Sequence, residues 1–318
     1  MFSKTKLVFS LFTIVVLGLM LSACGAKSEP GTLKVALLPV LDTLPVHVAV
    51  QEGLFEEQGL TVEIIPVSSA PERDQLIIAG EADGMLNEIV STLFYNKDGV
   101  QVQIVRTARS ATSTAPMFRV LAAKDSGITT VDGLKGAEIG ISEGTIIEYL
   151  TDRLLEAEGF SADEIATISV PKIPDRLALL GAGEMQAAML PDPASSLAVQ
   201  GGAVVIVDDT LHPEFGLSTF AFRKNVIDAN PEAITAFLAA VEKAVELINA
   251  DPAKYADLMA EQGLVPAPLL GSYQVNPFPT ASVPNQAQWD DAVAWAQAKG
   301  LLTNDVSYAD SVNASYLP

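Results

Sequence analysis

Residues 131–159, VDGLKGAEIGISEGTIIEYLTDRLLEAEG, read as a turn, a buried strand, a glycine-containing loop and a helix in succession. Asp132-Gly133 and Lys135-Gly136 punctuate the chain. Residues 137–141 are mostly apolar, as a strand covered on both faces is. Ser142, Glu143, Gly144 and Thr145 turn the chain into a helix. Along it Ile146, Tyr149, Leu150 and Leu154 recur at helical spacing, and Gly159 stops it. The N–H groups at such a helix start can hold a polar ligand group. An ordinary strand–loop–helix joint that binds nothing reads the same way, so one copy alone decides little.

The chain spells the unit twice. Residues 33–38 read as a short apolar strand, 39–45 as a loop and 46–52 as a helix that Gly53 stops. A strand follows in each copy, at 60–67 (LTVEIIPV) and at 166–171 (ATISVP). Next come helices at 72–79 and 174–182, ending at Gly80-Glu81 and Gly183-Glu184, whose glycines stand 103 positions apart. Each copy closes on a short strand with a polar end, DGMLNE at 83–88 and QAAMLPD at 186–192. Two βαβαβ units imply two α/β lobes, each a mostly parallel sheet flanked by helices. Ligands of open parallel sheets bind outside the carboxyl ends of the strands, so two such edges face to face make a cleft.

Composition narrows the function. The 318 residues are 49% hydrophobic and 18% charged, which marks a globular chain. A formal net charge of −20 argues against nucleic acid as a partner. The two histidines, His47 and His212, have no Cys/His neighbours and read as surface or packing residues rather than zinc ligands.

At the N-terminus, Lys4 and Lys6 precede an uncharged apolar run, 7–21, as in a secretory signal. The run is short for a membrane span, which needs about 20 apolar residues. It ends in Leu21-Ser22-Ala23-Cys24, which resembles the bacterial lipobox and contains the only cysteine. The resemblance implies cleavage before Cys24 and lipidation of Cys24, with residues 1–23 a signal peptide and 24–32 a lipidated tether. Several acyl chains anchor a protein stably. The expected location is the cell membrane, lipid-anchored, on its extracytoplasmic side.

Residues 100–106 and 117–123 read as strands joined by a Ser/Thr/Ala-rich crossing at 107–115. Further strands are expected at 203–207 and 217–222, a long helix from Pro231 to Ala250 and a helix at 286–298 carrying Trp289 and Trp295. The return crossing is expected near 225–231. The first lobe then comprises 33–110 and the return segment 230–318, and the second 111–229.

Several segments together resemble the solute-binding proteins of ABC importers, in the cluster for nitrate, sulfonates, taurine and thiamine precursors. They are LFEEQGL (54–60), LIIAGEAD (76–83), VDGLKGAEIG (131–140) and Asn230-Pro231-Glu232-Ala233. The resemblance covers nearly the whole mature chain. It implies a two-lobed, periplasmic-binding-protein-like fold of type II that closes on a small molecule. It implies permease and ATPase subunits as partners, and a protein that works as a monomer without cofactor, metal or catalytic residues.

The loops at the strand ends supply the candidate ligand-binding residues: Asp42, Thr43, Ser69, Asn87, Glu88, Ser142, Glu143, Thr145 and Asp192, with Ser68 beside them. Lys and Arg are absent from this set, although Arg73 and Lys172 lie near. The balance favours a neutral or cationic organic molecule whose N–H or O–H groups carboxylates accept. A vitamin-like heterocycle fits, best riboflavin, with stacking from Tyr95, Tyr149, Phe220, Tyr273 or Phe278. The alternatives are a thiamine precursor, or an alkanesulfonate, taurine or nitrate. Loop Ser, Asp and Glu also cap helices. Two readings from other classes stay open, a pyrimidine-synthase-like enzyme and a sensor lipoprotein outside transport. A single cysteine, spent on the anchor, speaks against the Cys-rich chemistry of the first.

Overall fold

A computed structural model describes residues 31–318 of the protein. The expected signal segment, Cys24 and most of the tether lie outside the described residues. Gly31 and Thr32, expected in the tether, already pair with Leu60 and Thr61.

Ten strands form two five-stranded sheets. In the first lobe β1 (Gly31–Leu37) lies between β2 (Leu60–Pro66) and β3 (Gly84–Asn87), parallel to both. Next comes β4 (Val102–Ser110) at the sheet edge. In the second lobe β5 (Phe118–Ala122) stands between β8 (Ala187–Pro191) and β9 (Val204–Asp208), antiparallel to both. There β6 (Glu138–Ile141) pairs in parallel with β7 (Ala166–Ser169) and β8. The last strand, β10 (Leu217–Arg223), lies antiparallel between β3 and β4. The orders β2-β1-β3-β10-β4 and β7-β6-β8-β5-β9 thus repeat one plan.

This corrects the expected return. The chain re-enters the first lobe before Leu217, not near 225–231, so the second lobe ends ahead of β10. Nearly every residue of β10 is buried; a buried apolar strand fits the middle of either sheet, and its sequence does not say which. β4 likewise runs on to Ser110, leaving a shorter outward crossing. The two crossings are tied together: Ala111 N donates to Gly216 O, and Met117 N and Phe118 N donate to Asp209 Oδ1.

The helices used below are α1 (Leu44–Gln51), α2 (Ala70–Ala79), α3 (Ile89–Asn96), α4 (Ile146–Ala157), α5 (Ile173–Ala182), α6 (Ala194–Gln200), α7 (Pro231–Ala250) and α8 (Gln286–Ala298). Their ends follow from local chemistry. Ser69, Glu88, Thr145, Asn230 and Asn285 each accept a backbone N–H at a helix start. Gly80 and Gly183 end α2 and α5 at φ 75° and 72°, a backbone that side chains resist. Glu81 N reaches Leu76 O, and Glu184 N reaches Leu179 O, the same offset of 103. Among the described residues no helix is long and apolar enough to cross a membrane.

α7 buries its apolar face on the first lobe, with Phe237 against Phe55, Phe220 and Phe222. α8, expected in the first lobe, also packs against the second. It packs on α3, while Asp291 takes hydrogen bonds from Tyr149 and Arg153 of α4. Trp295 Nε1 donates to Asp152 of α4 at 2.8 Å. Apolar side chains of α3, α4 and α8 therefore join one layer that continues from lobe to lobe, while separate clusters cover the outer faces.

Candidate functional site

Between the lobes lies a cavity of about 90 Å³. The first lobe contributes Leu38 and Asp42 from the loop after β1, Ala70 and Arg73 from α2, Asn87 and Glu88 from the end of β3, and Ser218 from β10. The second contributes Met117 and Phe118 at the start of β5, Ser142 after β6, Thr145 to Ile147 at the start of α4, Arg176 from α5, and Asp192 after β8. The carboxyl ends of the parallel strands thus face each other across it, as the doubled unit requires. Asp42, Asn87, Ser142 and Asp192 are all buried, so the lobes stand nearly shut.

Six of the nine candidate residues line this cavity: Asp42, Asn87, Glu88, Ser142, Thr145 and Asp192. The other three do not. Thr43 turns its hydroxyl to Val40 O, Ser69 caps α2, and Glu143 is exposed. Within the six, most polar atoms already have partners. Asp42 accepts from Ser218 Oγ and lies 3.6 Å from Arg109. Asp192 accepts from Arg119, Ser196 and Tyr273, and Arg109 stands 3.8 Å away. Glu88 caps α3 through Ser91 N. Burial pushes its carboxyl up to about 7, against the opposing pull of Arg73. The Thr145 hydroxyl donates to Ser142 O.

Among the described residues, three polar atoms of the cavity residues have no partner: Asn87 Oδ1, Ser142 Oγ and Arg176 Nη2. Each belongs to a residue at most 3% exposed. The Asn87 orientation follows from its neighbour. Thr92 gives its one proton to Glu88 O, so its oxygen accepts Asn87 Nδ2–H, and Oδ1 is left over. Buried polar atoms without partners cost free energy, and a ligand that pairs with them recovers it.

The cavity wall departs from expectation in two respects. Arg73 and Arg176 line it, whereas Lys172 is exposed. None of the five aromatic candidates lines it: Tyr95 binds Asp74, Tyr149 binds Asp291, Tyr273 binds Asp192, and Phe220 and Phe278 are core residues. Phe118 and Met117 supply the large apolar surface instead. Both arginines lie at matching places inside α2 and α5, 103 positions apart. The spacing that paired Gly80 with Gly183 also pairs them, and that signal was available in the sequence.

Among the described residues no group of three or more His, Cys, Asp or Glu is placed to hold a metal ion. His47 is half-buried, and burial pushes its imidazole down to about 4. His212 lies against Phe215 and Glu214.

Residues 41–255 match the NMT1/THI5-like family. The chain belongs to that family. Its curated relatives include a 4-amino-5-hydroxymethyl-2-methylpyrimidine phosphate synthase of Saccharomyces cerevisiae, 29% identical over 66% of this chain. That match covers 64% of the yeast protein, so the chain spans less than two thirds of its length. A nitrate/nitrite binding protein of Nostoc sp. is 26% identical over 70% of this chain and 55% of the relative. Family membership refines the resemblance read from the segments. The fold is that of periplasmic binding proteins. The alkanesulfonate-binding protein of Xanthomonas axonopodis pv. citri, bound to MOPS, superimposes with a TM-score of 0.76 at 21% identity, over 90% of this chain and 99% of that one. The periplasmic nitrate-binding protein of Synechocystis gives 0.66 at 17%, over 90% and 86%.

Proposed function

We propose that the protein is the extracytoplasmic solute-binding component of an ABC importer, held at the membrane through Cys24, which captures a small organic solute between its lobes and delivers it to a permease. One observation carries the reading: both lobes line one shared cavity with residues that hold unpartnered buried polar atoms among the described residues, Asn87 with Oδ1 from the first and Ser142 with Oγ and Arg176 with Nη2 from the second. Groups that wait for a partner from opposite sides fit a ligand that draws the lobes together. The family, the fold and the nitrate/nitrite binding relative support it.

The cavity volume bears on the solute. A compact solute fits that space better than riboflavin with its three rings and ribityl chain. A thiamine-type pyrimidine or a short sulfonate matches the scale. Asp42 and Asp192, the carboxylates expected to accept ligand N–H groups, are already engaged.

The yeast synthases favour a second reading, an enzyme of pyrimidine synthesis. Among the described residues that line the cavity there is no histidine, which supports capture over chemistry. The test is mass spectrometry of solute carried through purification under native conditions, followed by titration calorimetry with that solute, taurine, nitrate, 4-amino-5-hydroxymethyl-2-methylpyrimidine and riboflavin. Saturable binding of an unaltered compound is expected. Turnover of the bound compound, or no binding by any of them, overturns the proposal.

A further inference from the structure

Arg73 and Arg176 occupy the same place in the two halves of the chain, yet their surroundings differ. Both reach the strand that follows their helix: Arg73 Nη1 donates to Leu86 O at 3.1 Å, and Arg176 Nε to Met189 O at 3.1 Å. Leu86 and Met189 are again 103 positions apart.

Arg73 is fully partnered. Nε donates to Asp74 at 2.8 Å and Nη2 to Ser91 Oγ at 2.9 Å, and Glu88 stands near enough to feel its charge. At the offset of 103, Asp74 corresponds to Leu177, Ser91 to Ala194 and Glu88 to Pro191. The second lobe has the arginine without the side chains that balance it in the first. Arg176 Nη1 still donates to Val170 O and Pro171 O. Nη2 has no partner among the described residues. Among the described residues Arg176 is in no ion pair, although it is fully buried. Burial alone lowers its guanidinium, to about 10, so the cation persists at neutral pH.

A buried cation with a free donor edge is costly until an anion meets it. The three carboxylates of the cavity do not meet it: Asp42 and Asp192 face Arg109 and Arg119, and Glu88 faces α3 and Arg73. On the opposite wall Asn87 Oδ1 lacks a donor. From this juxtaposition we infer that Arg176 is the recognition residue for an anionic group, and that the solute is a compact organic anion with an O–H or N–H arm for Asn87 Oδ1. The inference rests on the proposed solute-binding function and fixes the class of its solute. It reverses the neutral or cationic preference that the loop residues suggested.

The test uses probes matched in shape. Lactate and lactamide differ in charge, and 2-hydroxyethanesulfonate and ethanesulfonate differ in the donor. Titration calorimetry on the wild-type protein is expected to show saturable binding of lactate or 2-hydroxyethanesulfonate. Lactamide binds at least tenfold more weakly than lactate, and ethanesulfonate more weakly than its hydroxy analogue. Arg176→Met lowers the anion affinity at least tenfold. Because Arg176 also ties β8 to α5, Ala194→Ser serves as the second variant. It keeps the arginine, places a hydroxyl at the position that corresponds to Ser91 beside Arg73, and is expected to weaken anion binding while unfolding at the wild-type temperature. Lactamide binding as tightly as lactate, or anion affinity unchanged in both variants, overturns the inference. So does failure of all four probes alongside saturable binding of an uncharged solute, which leaves the importer reading standing. Failure of these probes and of the earlier panel overturns both.

Discussion

The guanidinium of Arg109, at the end of β4 in the first lobe, lies 3.8 Å from the carboxylate of Asp192 in the second. Its other edge is 3.6 Å from Asp42 in its own lobe. Arg109 is 4% exposed, and burial is outweighed by Asp42, Tyr273 and Asp192, which raise its already high pKa. One cation therefore separates two carboxylates that line the cavity from opposite sides. Arg109→Met leaves them facing each other and removes one partner of a buried pair, a loss of roughly 3–5 kcal/mol. Urea unfolding checks the stability, and small-angle scattering checks closure, where a larger radius of gyration is expected. A variant with wild-type urea midpoint and radius denies the cation this role.

Asp209 ties the two crossings by accepting Met117 N and Phe118 N, and its other oxygen has no partner. Burial pushes its carboxyl from 3.8 up to about 7, with Asp208 adding to the rise and the backbone N–H groups opposing it. The folded chain therefore holds this proton more tightly than the unfolded chain. The stability this contributes is complete below about pH 4 and is lost as pH rises through about 7. Asp209→Asn keeps Oδ1 and removes the titration. Unfolding free energies between pH 4 and 8 are expected to fall less steeply with pH in the variant than in the wild type. Equal slopes count against the assignment. Glu88, also raised, retains a slope of the same sign in both proteins.

Much of this was legible in the chain. Gly80 and Gly183 announced the repeat because a left-handed helix end favours glycine. Once the repeat is accepted, topology alone sends Asp42, Asn87, Ser142 and Asp192 to facing strand ends. Arg176 lies inside a helix, away from the loops that the strand ends single out, and Arg73 is legible only as a neighbour of those loops. Glu143 was misplaced because the turn at Gly144 sends neighbouring side chains to opposite sides, inward for Ser142 and outward for Glu143. β10 was assigned to the wrong lobe because its burial pattern is that of a central strand in either sheet.

Gly84, on β3, faces the ring of Phe222 on β10, and a β-carbon there stands 2.3 Å from the ring edge. Phe222 is pinned edge-on against Phe237 of α7 and does not yield easily. Gly84→Ala is expected to cost about 1–3 kcal/mol through overpacking. Thermal unfolding of the variant checks it, and an unchanged midpoint means the ring has room to move.

Ser69 and Ser142 are both buried loop serines but have different tasks. Ser69 Oγ accepts Glu72 N at the start of α2, so Ser69→Ala is expected to lose about 1 kcal/mol of stability and leave solute affinity as it was. Ser142 Oγ has no partner. Ser142→Ala is expected to leave stability nearly unchanged and to weaken solute binding several-fold. Paired denaturation and titration measurements separate the two, and the reverse pattern assigns the roles wrongly.

A blueprint used twice gives such a molecule latitude that a single unit lacks. One half can go on serving as girder while its twin is refitted, because a lost neighbour in the second half leaves the first half's contacts whole. On the proposed function, a change of solute then needs few substitutions around Arg176, with the contacts that hold Arg73 in the first half untouched.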